Sequence, residues 1–417
     1  MSKKTKWEER IGDLLGEFGL TRAEALKGHI KFDDKVGTIN ILDEVQPRMI
    51  TVKNVDDAKR FAGVPDEDYH DALSKHFDIP APWPEEKNHL APADLEPKQK
   101  QDIKRAMISY VYGNSEKVKS YKDIINKVHF PMTVPLITGD TLIVYTSQTY
   151  PLDKNLVFDT IMVYKGGKIN CQGNITVKAK SFVQSNEERY PPQAAKSFAV
   201  GDTSGEGSFY SVGADGPNGT PGGNGAAGGK GSKGSNATDG KHCTSAGNGG
   251  VGGNGTDGTT GGNGGDGQDG NCVTGDMGAI TGTIILLSSG GDGGKGGTGG
   301  IGGDGGMGGD PGDTTTSCPN KASQGQGGNG GKGGKGGNGG NGGNGNALVF
   351  RYDASKSTGT CKLGTPKGLA GPGGAAGNPG AAGKGNPDGE GGKAGDVGQN
   401  GTRGKVGTVT VNGKPLG

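Results

Sequence analysis

Glycine recurs at every third residue through most of the second half of this 417-residue chain. It stands at 213, 216, 219 and on to 234, then in the same phase from 249 to 270, 291 to 312 and 327 to 345. A new phase runs from 368 to 407 and skips only Asn386. Richness in glycine does not by itself hold register over blocks this long, so the period is structural. Its breaks delimit six segments: I (about 213–240), II (247–270), III (290–313), IV (325–346), V (364–385) and VI (389–408). Of the 90 glycines, 76 lie after residue 210, whereas only Phe350 and Tyr352 of the aromatic residues do. A conventional apolar core needs large side chains, so this half is collagen-like, disordered or held together by main-chain packing.

An extended left-handed helix of the polyproline II type has three residues per turn and lacks internal hydrogen bonds. Its side chains form three rows, and a glycine row lets another backbone come close enough to satisfy the N–H and C=O groups. Segments III and IV are nearly pure Gly-Gly-x, so two rows each are bare and both segments are expected at the centre. Their third rows, from Asp292 to Asp310 and from Asn329 to Asn344, are expected to face solvent. Segments I, V and VI have mostly one glycine row and belong at the periphery. A longer period overlies this one. Gly-x-apolar-x-apolar occurs from Gly173, Gly282, Gly345 and Gly407, at spacings of 109, 63 and 62 residues. Two glycine-rich segments fill each interval, which reads as strand, segment out, tip, segment back, next strand. The expected product is a short parallel strand stack carrying three long hairpins. A collagen triple helix usually contains much Pro, which is sparse here, and disorder would not keep the register.

The Gly-Gly-x blocks, such as those from Gly290 and Gly327, resemble polyglycine II sandwich proteins. The nearest kind is the tip adhesin of T-even-type phage long tail fibres, in which loops at the ends of stacked polyglycine helices bind a bacterial surface. The glycine-rich N-terminal fold of Obg-type GTPases is similar in kind. The resemblance covers residues 213–408 and rests on composition and period. It implies that the six segments pack as a six-helix polyglycine II bundle.

The first half reads as ordinary mixed protein: a helical subdomain (1–78), a Pro-rich linker (79–97), a helical pair (98–130) and a β-rich adaptor (131–212). Residues 213–417 form the repeat domain. Trp7, Ile11, Leu14, Leu15 and Phe18 share one helical face. Further helices are expected near 55–62 and 66–76, through Ile103–Val111, and from a Ser115 cap through Val128. Strands are expected at 141–145, 156–164 and 173–179.

Charge is nearly balanced, with 45 basic against 44 acidic side chains, which argues against a nucleic-acid partner. No stretch reads as a signal peptide or a transmembrane segment. The expectation is cytoplasmic synthesis and action outside, after lysis or as part of a particle. No catalytic motif, metal-ligand spacing or cofactor fingerprint stands out; two nonapeptides from Gly252 resemble calcium-binding repeats but lack their large apolar residue. Cys243 and Cys318 fall at hairpin tips and are able to pair after release. The tips gather polar groups that break the glycine register: Lys241, His242 and Thr244; Thr315, Asn320 and Lys321; Asn386, Asp388 and Glu390. These are the candidate ligand-binding residues. The reading is a non-enzymatic, adhesin-like protein without cofactor or metal, whose partner is a cell-surface glycan or membrane protein. Residues 1–130 are open to a docking protein. The alternative is a leaderless insecticidal or pore-forming toxin.

Overall fold

A computed structural model describes residues 6–21, 47–77, 79–190, 208–239 and 243–417. The fold is mixed α/β, with few helices and a large, mainly parallel sheet. The helices are α1 (Lys6–Glu17), α2 (Val55–Ala62), α3 (Pro97–Tyr112) and α4 (Lys122–His129). Local chemistry sets their ends. Asn54 caps α2 by accepting from the Asp57 N–H, and Gly63 closes it in the left-handed region at φ 74°. Pro97 opens α3, where its missing N–H costs nothing. Glu96 and Gln99 satisfy the free amides there as a capping box.

Two expectations for this half need correction. Residues 66–76 form two short 3₁₀ turns, Asp66–Asp68 and Asp71–His76, and not a helix. Asn114, not Ser115, caps the turn that precedes α4, while the Ser115 hydroxyl donates to Asp66 at 2.5 Å. Within the Pro-rich stretch, Trp83 and Leu95 are buried among Ile103, Tyr110, Tyr121 and Ile125.

The strands, in chain order, are β1 (Arg48–Val52), β2 (Met132–Val144), β3 (Thr149–Leu152), β4 (Asn155–Val163), β5 (Lys168–Cys171), β6 (Ile175–Gln184) and β7 (Ser208–Val212). They continue with β8 (Val273–Met277), β9 (Ile280–Thr281), β10 (Thr283–Ser289), β11 (Ala347–Tyr352), β12 (Thr360–Leu363), β13 (Thr408–Val411) and β14 (Lys414–Pro415). One sheet has the order β1-β2-β4-β6-β8-β11-β13-β14, with β9 also on β6; the other has β12-β10-β7-β5-β3. The chain therefore winds: one strand in the first sheet, the next in the second, then back. Each coil lays its strands parallel to those of the coil before, as in Ile161↔Phe182 and Leu286↔Phe209. Between the sheets lies the main core, where the rings of Phe182, Phe209 and Phe350 meet at centroid distances of 5.8–6.5 Å. The helices cover part of the first sheet, with Trp7, Ile11 and Leu15 of α1, and Phe18 just after it, buried against Ile50, Val52, Leu136 and Val157.

The strand following Gly282 departs from the expected stack. It is β10, in the second sheet, and the first-sheet member of that coil is β8. Gly275 interrupts the apolar pattern of β8 because the Phe350 ring occupies its side-chain space; a Cβ there would lie 2.6 Å from the ring. Gly139 likewise sits inside β2, and its bare face makes room for the Phe158 ring.

The glycine-rich segments grow out of the coil's second-to-first-sheet return. Early returns are short, from β3 to β4 and from β5 to β6. The next three are segments I and II between β7 and β8, III and IV between β10 and β11, and V and VI between β12 and β13. Odd segments continue the second sheet outward, and even segments lead back into the first. Gly216, Gly219, Gly222 and Gly225 donate to the carbonyls of Asp292, Lys295, Thr298 and Ile301 at 2.7–2.8 Å, so I and III run parallel. Gly294, Gly297 and Gly300 donate to Gly265, Gly262 and Thr259 at 2.8–2.9 Å, so III and II run antiparallel. Segment III bonds to I, II, IV and V, and segment IV to II, III, V and VI. Segments I and VI each bond to two others at the margins.

Each x residue of the Gly-Gly-x blocks leaves a third N–H. Side chains of the parallel neighbour accept many of these. Asn263, Asp266 and Asp269 of segment II take the amides of Asn338, Asn341 and Asn344 at 2.6–2.9 Å. Asn338, Asn341 and Asn344 in turn take those of Gln399, Thr402 and Lys405 at 2.9–3.0 Å. These Asn and Asp rows do face outward, but they also complete the hydrogen-bonding lattice.

Candidate functional site

The three tips lie at the same end of the hairpins. Thr238 and Thr244 form an antiparallel bridge, each donating to the other's carbonyl at 3.3 and 3.4 Å, and this narrows the first hairpin as it turns. Lys241 and His242 lie outside the described residues. A disulfide joins Cys243 of the first tip to Cys318 of the second, with Cα atoms 5.7 Å apart. Cys318 is fully buried, and its N–H donates to the Thr315 carbonyl at 3.1 Å. The Thr315 hydroxyl donates to Asp239 at 2.6 Å, and the Asn320 amide reaches the Ser245 hydroxyl at 3.5 Å. A covalent bond and side-chain hydrogen bonds thus fuse two tips into one surface.

The third tip stands apart and is set back along the hairpins. The Asn386 N–H donates to the Gly325 carbonyl at 2.9 Å, and Pro387 accepts from Gly327 at 3.0 Å. Asp388 holds the turn: one carboxylate oxygen accepts from the Gly385 N–H and the other from Lys384, both at 2.9 Å. The Gly385 amide, then Lys384, hold its carboxyl below the ordinary carboxylate range. The Glu390 N–H is capped by Asn329 at 2.8 Å, and its side chain is exposed.

The sequence-selected residues therefore divide. Thr315 and Asp388 spend their polar atoms holding the turns. Thr244, Asn320, Lys321, Asn386 and Glu390 are exposed. Sequence reasoning missed Asp239 and did not select Ser245 of the first tip; both fix the second tip to the first. The proximity of Cys243 and Cys318 was the available signal that residues beside them would also meet.

Among the described residues, no group of three or more His, Cys, Asp or Glu side chains is placed to hold a metal ion. No described helix is long and apolar enough to cross a membrane. Cys171 and Cys272 are buried thiols, and burial pushes both up, Cys272 to about 12. A thiol raised this far is a poor nucleophile near neutral pH. Compared with family models, curated proteins and solved structures, the chain matches none.

Proposed function

We propose that the six glycine-rich segments are polyglycine II helices, and that their bundle is a stalk presenting the tips to a cell-surface glycan or membrane protein. Main-chain bonds recurring every third residue support the helical assignment. A segment of about 24 residues would then reach roughly 75 Å from the sheets. The fused first and second tips carry the functional reading. A long projection whose far end is cross-linked and polar suits recognition, since binding groups on an ordered scaffold lose little entropy on contact. The protein then acts by binding and not by catalysis.

The test is binding of the labelled full chain to a glycan array and to a panel of intact bacterial and insect cells. The comparison is the variant Thr244→Ala, Asn320→Ala, Lys321→Ala, Asn386→Ala, Glu390→Ala. Saturable binding that the variant loses at least tenfold is the expected result. Equal binding by both chains, or binding by neither, overturns the proposal. Release of dye from liposomes by the unmodified chain would favour the pore-forming alternative.

A further inference from the structure

On the helical side of the first sheet, and independent of the tips' role, three adjacent strands set charged residues in one row. Lys178 of β6 is in register with Asp276 of β8, which is in register with Arg351 of β11. Val177 and Ala179, on either side of Lys178, point into the core between the sheets, so strand alternation sends Lys178 the other way. It is nevertheless 1% exposed. Arg10 of α1 grips both carboxylate oxygens of Asp276, at 2.6 and 2.7 Å. Arg351 donates to the Gly63 carbonyl at 3.1 Å. Three cations surround one carboxylate.

The balance of partners is uneven. Arg10 already occupies both oxygens of Asp276 at short range. Lys178 reaches Asp276 only at 3.4 Å, longer than the ~2.7–2.9 Å of a good charge-assisted bond. Its ammonium has three donors and, among the described residues, no other acceptor within hydrogen-bond distance. Burial lowers the Lys178 pKa, and only the nearby Asp276 charge works against that. A cleft of about 1090 Å³ opens here, lined by Lys178, Asp276, Arg10 and Arg351 together with Lys59 and Asp66. The cleft reaches down to this buried cluster, where Lys178 and Arg10 share the single carboxylate of Asp276.

We propose that this cleft binds a small molecule through an oxyanion, phosphate or carboxylate, that takes the unused Lys178 donors. Its rim selects the rest of the ligand. Glu9, Asp13 and Glu67 line it, and none of the three makes a salt bridge with another described residue. Acidic groups there repel a polyanion and favour a neutral or cationic body, so the best fit is a zwitterion with its anionic end down.

Isothermal titration of the full chain with phosphocholine, glycine betaine, inorganic phosphate and choline tests this. Phosphocholine and betaine separate the phosphate from the carboxylate source, and choline supplies the cation alone. The expected result is one-to-one binding of at least one of the two zwitterions, with choline silent. Lys178→Met should weaken that binding at least tenfold. Asp276 keeps both contacts to Arg10 in this variant, and an unchanged circular dichroism spectrum checks the fold. Asp388→Asn, at the third tip, should leave binding unchanged. Absence of binding by both zwitterions, binding of choline alone, or equal binding by Lys178→Met overturns the proposal.

Discussion

The side-chain oxygen of Asn338 accepts the main-chain N–H of Gln399 at 3.0 Å, across from one segment to its parallel neighbour. A half-buried asparagine thus does backbone work. Asn338→Ala leaves that amide to water, and a loss of about 0.5–1 kcal/mol follows. Asn338→Asp keeps the acceptor and should cost less. Lys335→Ala, one turn earlier in the same row, should be neutral. Urea denaturation gives the energies, and faster hydrogen exchange at the Gln399 amide in Asn338→Ala identifies the cause.

Glycines on different rows should respond in opposite senses. A methyl group on Gly300, in the centre of segment III, would overlap the Gly223 carbonyl and come 3.1 Å from the Thr259 nitrogen. Gly300→Ala must push segments apart, and a loss of roughly 3 kcal/mol or more is expected. Gly229 has open space at the same place. Gly229→Ala should be neutral or stabilise by about 0.4–1 kcal/mol, because it narrows the unfolded ensemble. Denaturation midpoints of the two variants decide it.

Reduction should loosen the chain measurably. The Cys243–Cys318 bond spans 75 residues of sequence, and loops of this size are typically worth about 2–4 kcal/mol. Dithiothreitol, or Cys243→Ser with Cys318→Ser, should lower the denaturation midpoint accordingly. Exchange at the Gly385 amide in the third tip should not change. Equal midpoints with and without reductant would show that the cross-link contributes nothing.

Acid should weaken the join between the 3₁₀ turn at 71–76 and β13. The His76 ring nitrogen meets the Thr408 hydroxyl at 2.7 Å, and burial, with Lys75 and Lys405 nearby, pushes its pKa down to about 4. In the unfolded chain the ring titrates near its ordinary value of ~6.5. Between these values the unfolded state binds the proton and the folded state does not, so stability falls as pH drops from about 6.5 to about 4. The ring is only half-buried, so solvent screening reduces the effect to about 1–2 kcal/mol. His76→Gln should remove that part of the pH dependence, as urea midpoints at pH 7.5 and 4.5 will reveal.

The glycine phase, the segment boundaries and the exposed third rows of III and IV were all legible, because a three-residue period has few physical explanations. The winding between two sheets was not. β8 escaped notice because Gly275 and Asp276 break its apolar run, and the partner that explains Gly275, Phe350, lies 75 residues away. β2 was read as starting at Thr141 for the same reason, since Gly139 yields its space to Phe158. At the tips, exposed polar residues could be selected from sequence. Which of them are consumed in holding the turns, as Thr315 and Asp388 are, depends on Asp239 and on the Gly385 backbone, whose positions only the folded chain fixes. Lys178 was hidden inside a strand pattern as one more polar residue on an alternating face.

The third hairpin ends early: Lys384 lies opposite Gly308, while segment III runs on to Asp313. Lattice bonds repeat identically in every triplet, so lengthening or trimming both arms by one triplet leaves each lower rung untouched. If the segments are polyglycine II helices, as proposed, reach changes in increments of roughly 9 Å without redesigning anything beneath. Variation among such chains should appear as paired, in-phase tripeptide insertions and deletions, a telescoping that an apolar core, with its interlocked shapes, does not permit.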